Sequence, residues 1–283
     1  MTHRLQFTKA SGAGNDFVLI NAVNGPLPLD YAPLARAACD RHFGVGADGL
    51  LVIEPSARAD FLMRYYNADG SHGGMCGNGG RCIARFAFIE GIAGRHQRFE
   101  ALDYVYEADV AGDGTVRLNM KDPSRFREGI RLSDGKGGDL EGTFIDTGAP
   151  HVVLFSDEID ALDVGSLGRT LRHDGAFAPG GTNVNFVGTA GGSTVRIRTY
   201  ERGVEAETLA CGTGSVASAL IASGRHALRS PVRVRVRSGE YLVVHFTGER
   251  GSWRDIALEG SAHMLFQGTM FYDPVSSTLL GSP

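Results

Sequence analysis

Apolar and β-branched residues fall in short runs separated by glycine- and acid-rich turns, and their period changes along the chain. Residues 17–21, 50–54, 60–66, 104–110 and 116–120 are such runs and predict strands. Residues 31–42 and 77–90 carry helical spacing instead, and in the second Ile83, Phe86, Ala87 and Glu90 mark one face. From about Asp122-Pro123 the pattern restarts. Strands are predicted at 143–146, 151–155, 183–187, 195–200, 232–237, 242–246 and 255–259. A further helix is predicted after Cys211, where Val216, Ala219, Leu220 and Ser223 recur at helical spacing. Alternating strands and helices predict an α/β chain.

The two halves of this pattern read as an internal repeat. SGAGNDFVLI (11–20) resembles TGAPHVVLF (147–155), which sets Asn15 against His151. FLMRYYN (61–67) resembles VRIRTYE (195–201), which sets Asn67 against Glu201. Cys76 then falls against Cys211, each followed by a glycine-bearing turn and a helix. The three offsets are 136, 134 and 135 residues, a register that three unrelated similarities would not share. A pseudo-twofold protein built this way would bring both cysteines to one cleft between its halves.

Composition narrows the class. At 283 residues, with 42% hydrophobic and 21% charged residues, the chain reads as a globular protein about two domains long. Its net charge of −4 gives no reason to expect nucleic acid or an acidic membrane as partner. Neither a secretory leader nor an apolar run of membrane length is evident, so a cytoplasmic location is expected. In a reducing compartment the four cysteines, Cys39, Cys76, Cys82 and Cys211, are expected as free thiols.

Two of those thiols carry the chemistry. A cysteine at a helix N-terminus sits beside unpaired N–H groups and the positive end of the helix dipole, which stabilise thiolate. Two such thiols flanking one carbon would take a proton from one face and return one to the other, as inversion of a stereocentre requires. Gly77-Asn78-Gly79 and Gly212-Thr213-Gly214 leave backbone amides open to a substrate carboxylate. Adjacent Glu201 and Arg202 offer both signs of charge to a second, zwitterionic centre, and the planar fork of arginine suits a carboxylate. Asn67 and Asn183 can add amide contacts. Cys39 and Cys82 read as core residues, and Cys82, six residues past Cys76, has neither redox nor zinc spacing. No metal or cofactor motif is evident. A thiol redox or metal-binding protein using Cys76 and Cys211 is the alternative of a different class.

The segments GAGNDF, YNADGS…CGNGGRC, PH and YERG…ET.ACGTG, in that order and across nearly the whole chain, resemble diaminopimelate epimerase. That resemblance implies an isomerase that interconverts LL- and meso-diaminopimelate without a cofactor, in lysine and cell-wall precursor synthesis. It implies an α/β fold (α+β mixed sheets) of two pseudo-symmetric domains, each a mixed β-sheet curled around a central helix, with the active site in the cleft and usually a homodimer. Residues 1–122 plus about 264–283 would form the N-terminal half and 123–263 the C-terminal half. Cys76 and Cys211 match the acid–base pair, and His151 and Glu201 join them in the catalytic set. Asn15, Asn67, Gly77, Asn78, Asn183, Glu201, Arg202, Gly212 and Thr213 match substrate-contacting positions. The chain has Gly49 where many members have Gln, and Ala149 where many have Asn. Another cofactor-independent two-thiol enzyme, such as a proline racemase relative, is the nearer alternative; it would not need Glu201-Arg202.

Overall fold

The computed structural model describes residues 2–281. The chain divides into two compact units, one formed by residues up to Leu118 together with those from Ser261 onward, the other by Asn119–Gly260.

The first unit runs β1 (His3–Gly12), β2 (Asn15–Asn21), α1 (Tyr31–Cys39), β3 (Gly49–Glu54), β4 (Phe61–Asn67), α2 (Gly77–Ile89), β5 (His96–Ala101), β6 (Tyr104–Val110) and β7 (Thr115–Asn119). The second runs β8 (Ser124–Ser133), β9 (Asp139–Asp146), β10 (Pro150–Phe155), α3 (Val164–Arg172), β11 (Asn183–Thr189), β12 (Thr194–Glu201), β13 (Ala206–Thr208), α4 (Gly212–His226), β14 (Val232–Arg235), β15 (Tyr241–Thr247) and β16 (Arg254–Ser261). β17 (His263–Asp273) and β18 (Thr278–Leu280) complete the first unit.

The repeat seen in the sequence is a repeat of topology. Hydrogen-bonded strand order in the first unit is β17-β1-β2-β3-β4-β5-β6-β7. In the second it is β8-β9-β10-β11-β12-β14-β15-β16. In both, successive pairings are antiparallel, antiparallel, parallel, antiparallel, parallel, antiparallel, antiparallel. Each parallel pair is joined through a helix: α1 and α2 in one unit, α3 and α4 in the other. Parallel neighbours cannot be joined by a tight turn, so a crossover helix is the expected connection.

Each sheet curls around one helix. α2 is contacted by β1, β2, β3, β6 and β17, and α4 by β9, β10, β11, β12, β14 and β15. The central helices are therefore buried nearly all round rather than along one stripe: every residue of α2 from Gly77 to Ala87 except Arg85, and Gly214 to Ser223 of α4. Glu90, expected on the apolar face, instead lies exposed just past the end of α2. β3 is buried on both faces because α1 packs on its outer side and α2 on its inner side. That is why its sequence is a continuous apolar run.

Boundaries differ from expectation where side chains seize the backbone. α1 ends at Cys39, not at 42, because the Asp40 carboxylate accepts the N–H groups of His42 and Phe43, each at 2.7 Å, and turns the chain. Only glycine fits at Gly44, where a Cβ would stand 2.2 Å from the Ala37 carbonyl oxygen. Strands β1, β5, β8, β13, β17 and β18 and helix α3 were not among the predicted elements. β8 shows the physical reason most clearly: of SRFREGIRLS only Leu132 is buried, so the strand carries almost no hydrophobic period. Cys39 and Cys82 are buried in the core, and burial pushes the Cys39 thiol up to about 12.

Candidate active site

In the first unit the mouth of α2 is built from polar side chains of β2 and the helix itself. Cys76 is the N-cap, and its Sγ accepts the Gly79 N–H at 3.4 Å. A donor aimed at sulfur favours thiolate over thiol. Asn78, buried, donates from Nδ2 to Asn15 Oδ1 at 2.6 Å, and Asn15 Nδ2 donates in turn to Asp48 Oδ2 at 3.0 Å. Arg81 is the largest fully buried side chain; its guanidinium donates to Asn78 Oδ1 at 3.0 Å and to the Gly77 carbonyl at 3.3 Å. These bonds matter because a buried guanidinium without partners costs several kcal/mol. On the solvent side Arg41 reaches both Asp48 at 2.8 Å and Asp16 at 2.9 Å, and Lys9 reaches Asp16 at 2.7 Å. Burial works to raise the Asp16 carboxyl, but hydrogen bonds from Arg41 and Lys9 outweigh it and hold it below the ordinary carboxylate range. Asn67, at the end of β4, donates to Ser71 Oγ at 2.9 Å and so faces the turn that follows it. The position of Gly49 is covered by Tyr65, whose ring carbon would lie 2.5 Å from an added Cβ.

The second unit places a different set at the mouth of α4. Cys211, 6% exposed, occupies the N-cap position, with its Sγ 3.6 Å from Thr213 Oγ1. Thr213 Oγ1 also lies 2.9 Å from His151 Nε2, and Thr147 Oγ1 donates to the Thr213 carbonyl at 2.9 Å. His151 is wholly buried, and burial pushes its pKa down to about 3, with Arg202 adding to the shift and Asp146 opposing it. The ring is therefore neutral across the physiological range. Asn183 ties two segments together: Nδ2 donates to the Pro150 carbonyl at 2.9 Å and Oδ1 accepts the Arg202 N–H at 2.8 Å. Glu201 Oε2 accepts from Thr208 Oγ1 at 2.9 Å. The exposed Arg202 lines a cavity of about 600 Å³ with Arg125, Arg127, Phe144 and Pro150.

Within each unit the structure gathers most of the expected residues: Asn15, Cys76, Gly77 and Asn78 in one, His151, Cys211, Gly212 and Thr213 in the other. Asn183, at the start of β11, stands opposite His151 in the ladder and holds the Arg202 N–H just past Glu201, the last residue of β12. Sequence reasoning missed Asp48, Arg81, Asn185 and Thr199. Arg81 and Asn185 each interrupt an otherwise apolar, core-facing run, and that was the available signal. Among the described residues no three His, Cys, Asp or Glu side chains converge as a metal-ligand set, and no helix is long and apolar enough to cross a membrane.

Two solved structures share the fold. The *Bacillus anthracis* phenazine biosynthesis protein of the PhzF family superposes with a TM-score of 0.75 at 13% identity, covering 94% of this chain and 99% of that one. A hydroxyproline epimerase from *Agrobacterium vitis* superposes with a TM-score of 0.68 at 16% identity, covering 97% and 94%. Fold and site together define the class: a twice-repeated α/β protein with a cysteine at the mouth of each central helix. The family model described as diaminopimelate epimerase matches residues 7–126 and 143–262. The chain is 47% identical over 263 residues to the diaminopimelate epimerase of *Chlorobaculum tepidum*, covering 92% of this chain and 99% of that one, and 39% identical over 277 residues to that of *Aquifex aeolicus*, covering 94% and 98%. The chain belongs to the diaminopimelate epimerase family.

Proposed function

We propose that this protein interconverts LL- and meso-diaminopimelate with Cys76 and Cys211 as its two acid–base groups. The observation that carries the reading is the matched pair of helix-mouth cysteines at equivalent points of two topologically identical repeats. As thiolate, one sulfur takes the α-proton from one face of the substrate carbon. The electron pair left on carbon is delocalised toward the α-carboxylate, and the other sulfur, as thiol, delivers its proton to the opposite face. Reversing the protonation states runs the reaction the other way. The amides of Gly77-Asn78 and Gly212-Thr213 are the donors for the carboxylate, where developing charge is worth several kcal/mol of stabilisation. His151 supports Cys211 through Thr213, and Glu201 joins the catalytic set. Asn15, Asn67 and Asn183 supply amide contacts, and Glu201 and Arg202 read the distal ammonium and carboxylate. A site built for both charges rejects analogues lacking one of them.

Two thiols supply all the proton transfer this reaction needs, so no cofactor enters the scheme. The same reading places the enzyme in the cytoplasm, in lysine and cell-wall precursor synthesis, and as a homodimer. An apolar stretch supports the last point: Leu265 and Phe266 on β17 are 54% and 52% exposed, and β18 covers only the last three residues of that strand.

The test is turnover of Cys76→Ala and Cys211→Ala. Each variant is expected to lose net epimerisation while keeping wild-type circular dichroism, since neither thiol can serve the other face. Retention of more than a small fraction of wild-type turnover by either one would sink the assignment.

A further inference from the structure

Among the differences between the two helix mouths is one buried side chain that stands over the first turn. Above Gly79 in α2 stands Leu51 of β3, its Cδ1 3.6 Å from where a Cβ would be. Above Gly214 in α4, at the matching place, stands Asn185 of β11, its Oδ1 only 2.4 Å from the Cβ position. Asn185 is fully buried, and its amide makes three contacts: Nδ2 at 3.1 Å from the Val152 carbonyl, Nδ2 at 3.0 Å from His151 Nδ1, and Oδ1 at 3.0 Å from Thr199 Oγ1.

Those contacts leave the network one polarity. A backbone carbonyl only accepts, so the atom facing Val152 O must be the amide nitrogen. The second N–H of that nitrogen then points at His151 Nδ1, which must be the lone-pair nitrogen of the neutral ring. The ring proton therefore resides on Nε2 and donates to Thr213 Oγ1, 2.9 Å away. With its oxygen accepting that bond, the Thr213 hydroxyl has its own proton to give, and Cys211 Sγ lies 3.6 Å off. Thr199, able to donate or accept, is compatible with this orientation and does not select it.

We propose that Asn185 is a positioning residue that locks His151 in its Nε2–H form, so that Thr213 donates to the Cys211 sulfur and stabilises its thiolate. The assignment rests on the proposed acid–base role of Cys211. It makes the two thiols chemically unlike, because Cys76 is served by a backbone N–H and Cys211 by a three-membered side-chain relay. The charged groups that act on His151 are Asp146 at the end of β9 and Arg202 just past the end of β12. Besides the Cys211 thiol itself, β10, β11 and the first turn of α4 bring the uncharged polar side chains of His151, Asn183, Asn185, Thr213 and Ser215.

Long-range proton–nitrogen NMR of ¹⁵N-histidine-labelled enzyme reads the tautomer directly and needs no activity. Wild type is expected to show His151 as the neutral Nε2–H form from pH 5 to 9. A neutral Nδ1–H ring, or an imidazolium in that range, overturns the proposal even if both cysteines prove essential; loss of the cysteine roles would leave the tautomer result standing. In the second arm, alkylation of Cys211 by iodoacetamide is followed against pH in a Cys76→Ala background, with and without Asn185→Leu, the residue type of the other repeat. Asn185→Leu is expected to slow alkylation at neutral pH by about tenfold, the lower end of what one hydrogen bond to a charged group contributes, and to move the profile to higher pH. An unchanged profile in a folded variant overturns the proposal.

Discussion

His151 carries the clearest single-residue consequence of burial. In the unfolded chain its imidazole titrates near the ordinary value of about 6.5, whereas in the fold burial pushes it down to about 3. The unfolded state therefore binds a proton that the native state does not, and stability falls as pH drops through the window between those values, by up to about 1.4 kcal/mol per pH unit. Wild-type protein is expected to lose about 1–2 kcal/mol of unfolding free energy from this residue between pH 7 and 5. His151→Gln cannot protonate and should shrink the drop by that amount, as urea unfolding at the two pH values would show. An equal drop in both proteins would mean that the histidine is not neutral in the fold. Asp16 has the same sign in a lower window, because its carboxyl is held below the ordinary range and its contribution is lost only as pH falls through that depressed value. What was legible at this scale was the chemistry of motifs with a distinctive local sequence. Cys76, Cys211 and His151 stood out because glycine or proline neighbours framed them. Asn185 was hidden because its role depends on a carbonyl of another strand.

At the scale of the element, α2 and α4 start alike and tolerate change differently. A Cβ at Gly79 would meet Cys76 Cβ, Phe17 and Leu51 at 3.5–3.6 Å, ordinary contact. A Cβ at Gly214 would meet Asn185 Oδ1 at 2.4 Å and Cys211 at 3.3 Å. Gly79→Ala is therefore expected to be neutral or to stabilise by up to about 1 kcal/mol, through the entropy that glycine gives up in a helix. Gly214→Ala is expected to destabilise by about 1–3 kcal/mol, as overpacking does. Thermal unfolding of the pair checks this, and equal effects would contradict the asymmetry. Helices α1, α2 and α4 were readable from apolar spacing, yet burial of the central two on all sides was not. A hydrophobic stripe reports one contact face; only the curl of the sheet supplies the others.

Across the whole molecule, the chain begins one unit, builds the other, and returns. β17 pairs with β1 along its length, and Met270 and Tyr272 join Leu5 and Phe7 in one core cluster. Removing residues from 263 onward would leave β1 an open edge and strip that cluster of two large side chains. The truncated protein is expected to lose amide-exchange protection in β1 and β2 while β10–β12 keep theirs. Uniform loss would mean that the units do not hold separate cores, and no loss would mean that β17 is not needed to hold β1 and β2.

The repeat itself was written in the amino-acid order. Offsets between matched segments stayed within two residues, and the ladders correct one of them: with Gly49 matched to Asn183, His151 stands at the place of Phe17 rather than of Asn15. The apolar runs of β2, β3, β10 and β11 and the thiol-glycine motifs needed no knowledge of neighbours, since each depends on local period and local backbone chemistry. Polar β8, the short α3 and the buried Arg81 gave no such signal. Their order is set by tertiary surroundings: β8 by its ladder with β9 and by ion pairs such as Glu128–Arg250, α3 by the crossover between β10 and β11, and Arg81 by burial of the helix turn whose Gly77 carbonyl and Asn78 amide accept its hydrogen bonds. The direction of the hydrogen bonds around His151 belongs with them, because it is set only when the Val152 carbonyl, the Asn185 amide and the Thr213 hydroxyl meet in three dimensions.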